Sequence, residues 1–129
     1  MDPFIWTEHR DKKILSIEVC QDSEEEALVF LKRFIHELSG KEERGVHILA
    51  DLRRANFWPK VALEWQKHQH FLHSKWGKLA VLGAKGVVSI AVTTFISLAK
   101  TAGLEIGHKV QFFENPDLAM QWLVQSDET

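Results

Sequence analysis

The residues of this chain with the clearest chemical potential stand at two turns. Asp51, Arg53 and Arg54 follow the apolar run Val46-His47-Ile48-Leu49-Ala50, and Gly83-Ala84-Lys85-Gly86 follows Leu79-Ala80-Val81-Leu82. In open α/β sheets, ligands bind outside the carboxyl ends of strands, and both turns sit at such ends. Backbone N–H groups at Gly86 and Val87 can receive an anion at a helix start, with Lys85 and Arg53 or Arg54 adding positive charge. Asp51, Arg53, Lys85 and Gly86 thus form a candidate ligand or anion site, suited to a nucleotide binder or a small hydrolase. GAKG is neither a Walker A loop nor G-x-G-x-x-G, both of which need more glycine at fixed spacing. The competing reading is a tight turn at Gly83 and Gly86, with Asp51 capping a loop.

Other chemistry has less support. Of the seven histidines, His68, His70 and His73 lie closest together. On a helix His70 and His73 share a face, whereas His68 and His70 diverge. No cysteine or suitably spaced carboxylate completes a ligand set, so neither metal nor cofactor is expected. Cys20 is the single cysteine and has no local base, and there is no G-x-S-x-G. No catalytic residue is assigned, and a non-enzymatic protein is expected.

Aromatic residues crowd one stretch. Val61, Trp65, His68, Leu72 and Trp76 recur at steps of three and four, a narrow helical stripe. Phe57, Trp58 and Phe71 fall off that stripe, leaving apolar surface that a partner subunit or a ligand can cover. Phe57, Trp58, Trp65 and Phe71 are therefore the candidate interaction surface, read as a homodimer face or an apolar groove.

The elements that position these residues are well signalled. Residues 4–8 and 13–20 read as two strands of a hairpin, with Leu15, Ile17 and Val19 alternating with Ser16 and Glu18. Ser23 and Glu26 form a capping box, and Leu28, Leu31, Phe34, Ile35 and Leu38 face one way until Gly40 stops the helix. Residues 41–44 (KEER) are a charged connection to a third strand at 46–50. Pro59 opens a second helix over about 59–76, which Gly77 ends. The strand at 79–82 comes next. The run 86–99, which has no charged side chain, reads as a helix buried behind it at the centre of the core. Val110, Phe112 and Phe113 make a fifth strand, and Asn115-Pro116-Asp117 starts a last amphipathic helix before the polar tail 126–129. The order β-β-α-β-α-β-α-β-α predicts right-handed crossovers and a mostly parallel sheet with an antiparallel edge.

Composition narrows the class. The 129 residues are 45% hydrophobic and 26% charged, which is a globular profile fit for one domain. A formal net charge of −2 gives no general attraction to nucleic acid. The uncharged run is too short for stable membrane insertion. One cysteine and no signal-like N-terminus fit a cytoplasmic protein.

Three phrases resemble the SpoIIAA-like or STAS group, in its bacterial STAS-like branch. DLRRANF at 51–57 is similar to the family's D-L-x-x-V-x-F phrase, WGKLAVLGAKG at 76–86 to its strand and turn, and VQFFENPDLAMQWL at 110–123 to its closing strand and helix. The resemblance implies an α/β, SpoIIAA-like single domain, with a mixed, mostly parallel sheet of about five strands and about four helices. It implies a regulatory module that recognises a protein partner or a small apolar ligand, the latter by analogy with the related lipid-binding CRAL-TRIO fold. In STAS anti-sigma-factor antagonists the D-L phrase leads into Asp-Ser-Ser-Gly, whose serine is phosphorylated. Here Trp58-Pro59-Lys60-Val61 stands instead, without a hydroxyl, so the phosphoserine switch is not carried over.

Overall fold

Strand alternation sets the two faces of the sheet. In β2 (Lys12–Glu18), Leu15 and Ile17 turn to one side and Ile14 to the other, and all three are buried. This computed structural model describes residues 2–9, 11–40, 45–104 and 109–125, without the side chain of His73. The 41–44 connection and the 126–129 tail fall outside the described residues. β1 (Phe4–His9) pairs antiparallel with β2, and β3 (Val46–Asp51), β4 (Trp76–Leu82) and β5 (Val110–Phe113) follow in parallel, in the order β1-β2-β3-β4-β5.

Each parallel step moves the chain one strand in the same direction, so right-handed crossovers must lay every connecting helix on one face. That face holds α1 (Glu24–Ser39), α2 (Pro59–Lys75) and α3 (Gly86–Thr101) over Leu15, Ile17, Ile48 and Val81. The opposite face holds only α4 (Pro116–Val124) among the described helices, and its Ala119 and Leu123 cover Ile14 and Ala80. Capping fixes the ends of the outer helices. Ser23 Oγ accepts from Glu26 N at 3.2 Å, while the Glu26 carboxylate reaches back to Asp22 N at 3.3 Å rather than to Ser23. Asn115 Oδ1 accepts from Asp117 N and Leu118 N, starting α4 at Pro116.

Two expectations need correction. Trp76 does not end a helix; α2 stops at Lys75 and Trp76 opens β4 with no loop between them. Gly77 is likewise inside the strand. Val46 pairs with Trp76 but Ile48 pairs with Leu79, so β4 carries one extra residue there, a bulge opposite His47. The bulge lets Trp76 and Leu79, three apart, both join the core face. His47 Nδ1 accepts from the Lys78 N–H at 2.9 Å, taking the place of the missing ladder acceptor. A Cβ on residue 77 would lie 2.8 Å from the His47 ring and 2.9 Å from the Gly45 carbonyl oxygen, so close packing rather than helix termination requires this glycine.

The second correction concerns α3. It is not buried at the centre of the core: only Ala99 is fully covered, and Val87 and Ile90 are 61% and 68% exposed. Absence of charge is not burial. Thr93, Thr94 and Thr101 donate their hydroxyls back to Ser89, Ile90 and Ser97 carbonyls at 2.8–3.0 Å, so this face meets water without charged side chains. Strand β4, which lies between β3 and the edge strand β5 rather than at the centre of the sheet, is buried as expected, with Ala80, Val81 and Leu82 each no more than 2% exposed. No helix among the described residues is long and apolar enough to cross a membrane.

Candidate functional site

The polar turns come together at the carboxyl ends of β3 and β4. Asp51 and Arg53 form a bidentate pair: Arg53 Nη2 donates to Asp51 Oδ2 at 2.7 Å and Nε to Oδ1 at 3.0 Å, and the Arg53 backbone N–H adds 3.1 Å to Oδ1. The hydrogen-bonded guanidinium holds the Asp51 carboxyl below its usual range. The Arg53 stem lies across Gly83, where a Cβ would overlap Arg53 Cγ. Gly83 also takes φ 70, so the turn needs glycine for both reasons. Lys85 is exposed at the start of α3, makes no capping bond, and is followed by Gly86 at φ 55. Arg54 turns to Glu18 at 3.6 Å. Arg53 is thus engaged by Asp51, and the four expected residues supply Lys85 and the α3 N-terminus as the remaining positive groups.

The aromatic residues divide differently from a single outer surface. Trp65 faces inward, 6.1 Å from Phe34, 6.3 Å from Trp76 and 6.2 Å from Phe95 between ring centroids. Phe71 packs against the core cluster, and Trp58 is half-buried. Phe57 alone of the four is open, at 42% exposure. His68 sits beside Glu64 at 3.9 Å and His70 is exposed. Among the described residues no three His, Cys, Asp or Glu side chains gather as a metal-binding group.

Between the sheet and α1, α2 and α3 lies a cavity of about 220 Å³. Ile48, Ala50 and Val81 form its floor, Trp58, Val61 and Trp65 one wall, and Val88, Ala91, Val92, Phe95 and Ile96 of α3 its cover. Phe57 lies at its border, and among the described residues no charged side chain lines it. Gln21 and Asn56 are its polar lining, in the connections after β2 and β3. Asn56 Nδ2 donates to the Gln21 carbonyl at 3.4 Å and ties those connections together. A wider groove of about 620 Å³ runs outside α2, between Leu28, Leu63 and Leu98, but is rimmed by Lys60, Glu64 and Lys67. Lys67 pairs with Glu64 at 3.0 Å and Lys60 with Glu24 at 3.8 Å, so that groove is a wet, charged surface.

The SpoIIAA-like family model matches residues 14–124, from the second strand to the last helix. The chain belongs to the SpoIIAA-like family. The solved structure of a single-residue variant of Moorella thermoacetica RsbS is similar at a TM-score of 0.51 and 17% identity, with 95% of each chain covered, which is a likeness of fold. No curated protein matches. In this SpoIIAA-like chain the apolar groove expected at Phe57, Trp58, Trp65 and Phe71 shares its first three residues with the cavity, whereas the part of the lining that α3 and Gln21 supply was missed by sequence reasoning. The available signal was the uncharged 86–99 run, whose Val88, Ala91, Val92, Phe95 and Ile96 repeat at helical spacing and line the space.

Proposed function

We propose that this SpoIIAA-like chain is a non-enzymatic regulatory module of the cytoplasm that holds a small apolar molecule beneath α3 and works through protein contact as a homodimer. The cavity carries the reading. Cores pack to crystal density with few voids larger than water. An apolar space of about 220 Å³ exceeds the ~150 Å³ that admits benzene. The cover supports it too, because α3 buries only Ala99 completely and leaves Val87 and Ile90 in water.

A thermal shift series tests the choice of ligand. n-Propylbenzene is expected to raise the unfolding midpoint in proportion to the logarithm of its concentration, with inorganic phosphate and ATP inert. The reverse pattern, abolished by Lys85→Ala, would move the site to Asp51, Arg53, Lys85 and Gly86. Self-association rests on Phe57, which is exposed at the border of the cavity that α3 covers. Sedimentation velocity is expected to show a dimer that Phe57→Ser converts to monomer; a dimer unmoved by this change would place the contact elsewhere.

A further inference from the structure

The bulge in β4 is held by a side chain whose bonding changes with pH. We infer that His47 makes the junction of α2 and β4 an acid-sensitive joint, closed at neutral pH and loosened when the imidazole takes a proton. Three observations meet at this residue. His47 is buried, the only polar side chain so placed among the described residues. Its Nδ1 accepts the Lys78 N–H at 2.9 Å, and a ring nitrogen that accepts carries no proton. Its ring packs on Gly77, where a Cβ would lie 2.8 Å away, so imidazole and bulge are fitted to each other.

Protonation gives the imidazolium two donors and no acceptor. Nδ1–H would then face the Lys78 N–H, and turning the ring over would present carbon there. Either way the bond that holds the bulge is lost. Charge opposes the same step. The register sets His47 beside Ile14 on the α4 face. On that side Lys12 of β2 donates to Gln125 O, and Lys78 of β4 to Trp122 O and Gln125 O, at the end of α4. His9 of β1 pairs with Lys12 in the sheet, and Lys75 closes α2 just before the bulge. Asp117 stands at the opposite end of α4, and Asp51 ends β3 in its pair with Arg53. The nearer groups are cationic or become so in acid, and their field disfavours one more positive charge.

The joint reaches the core through Trp76, which follows α2 directly, pairs with Val46 and meets the Trp65 ring. An amide oxygen would hold this bulge at every pH, whereas imidazole makes it conditional. The neutral form belongs to the folded state, so its stabilisation is complete above the unfolded value of about 6.5 and is lost as pH falls below it. For a histidine that stays neutral when folded, the unfolding constant rises roughly tenfold between pH 7.5 and pH 5.5.

Urea unfolding of the full chain at these two pH values tests the joint, with His47→Asn as the control. Asparagine Oδ1 takes the place of Nδ1 as an acceptor that does not titrate. Each protein is compared with its own value at pH 7.5, so a uniform loss of stability leaves the comparison intact. The acid-induced rise is expected to be about tenfold larger in the native chain than in His47→Asn. His47→Leu, which has no acceptor, should start less stable and show the same reduced pH dependence. The Lys78 amide proton resonance is expected to move with the step in the native chain and to hold still in His47→Asn, a response that packing alone would not produce. Equal pH dependence in the native chain and both variants would overturn the inference, as would a native Lys78 resonance that does not move.

Discussion

Trp76→Ala is expected to cost about 3–5 kcal/mol of folding stability, read by urea unfolding followed by far-ultraviolet circular dichroism. Trp76 is only 4% exposed, at the junction where α2 becomes β4. Its ring meets Trp65 edge-on, and Trp65 in turn meets Phe34 of α1 and Phe95 of α3, so one aromatic cluster joins three helices to the sheet. Two terms add in the loss. The first is the transfer of a large aromatic surface back to water. The second is the void left behind, at about 24 cal/mol per Å³ of residual volume. That void cannot collapse easily, because Trp76 already borders the cavity and its backbone is fixed by pairing to Val46 and by the bulge at Gly77. Trp76→Phe keeps a ring and should recover much of the loss. A cost below about 1 kcal/mol for alanine would mean that the cluster is not a structural joint.

The same residue shows where sequence and structure part. Strand alternation in 13–20, the 3/4 spacing of 28–38, the Ser23 and Asn115 caps and the apolar 79–82 run all have local causes, and each element forms at its pattern, although β2 ends at Glu18 and leaves Val19 and Cys20 outside it. Trp76 extends the α2 stripe by a step of four, so periodicity continues the helix through it. What overrides that period is non-local. The bulge satisfies Lys78 through His47, a residue 31 positions earlier, and no window of local sequence contains both. α3 fails for a related reason: lack of charge was read as burial, whereas threonine hydroxyls bonded to their own helix make an uncharged surface tolerable in water. The cavity is the least legible feature. It is bounded by side chains from the sheet and three helices, and unfilled volume is a property of their sum rather than of any motif. The polar turn was legible as a place, since Asp51, Arg53 and Gly83 do meet. The bidentate closure that engages Arg53 was not, because it depends on the rotamers of both side chains.

Filling the cavity separates a binding space from a packing defect. Ala91 projects from α3 into the space, and Ala91→Phe adds a ring to a volume of about 220 Å³. Burial of a phenyl-sized group is worth about 1.5–3 kcal/mol, so displacing n-propylbenzene should weaken its binding roughly tenfold to a hundredfold. The same substitution should hold stability or raise it by about 0.5–2 kcal/mol, the usual yield of cavity filling. The opposite signs matter. A variant that merely distorted the fold would lose binding and stability together, whereas occupation of the site by its own side chain loses one and keeps the other. Isothermal titration gives the affinity and urea unfolding the stability. Unchanged affinity for n-propylbenzene would place the ligand outside this cavity, on the exposed face that Val87 and Ile90 present. Tight packing there would require α3 to turn its outer side to the ligand, and the inner side of α3, with Val88, Val92 and Phe95 around an unfilled space, is the better shaped of the two.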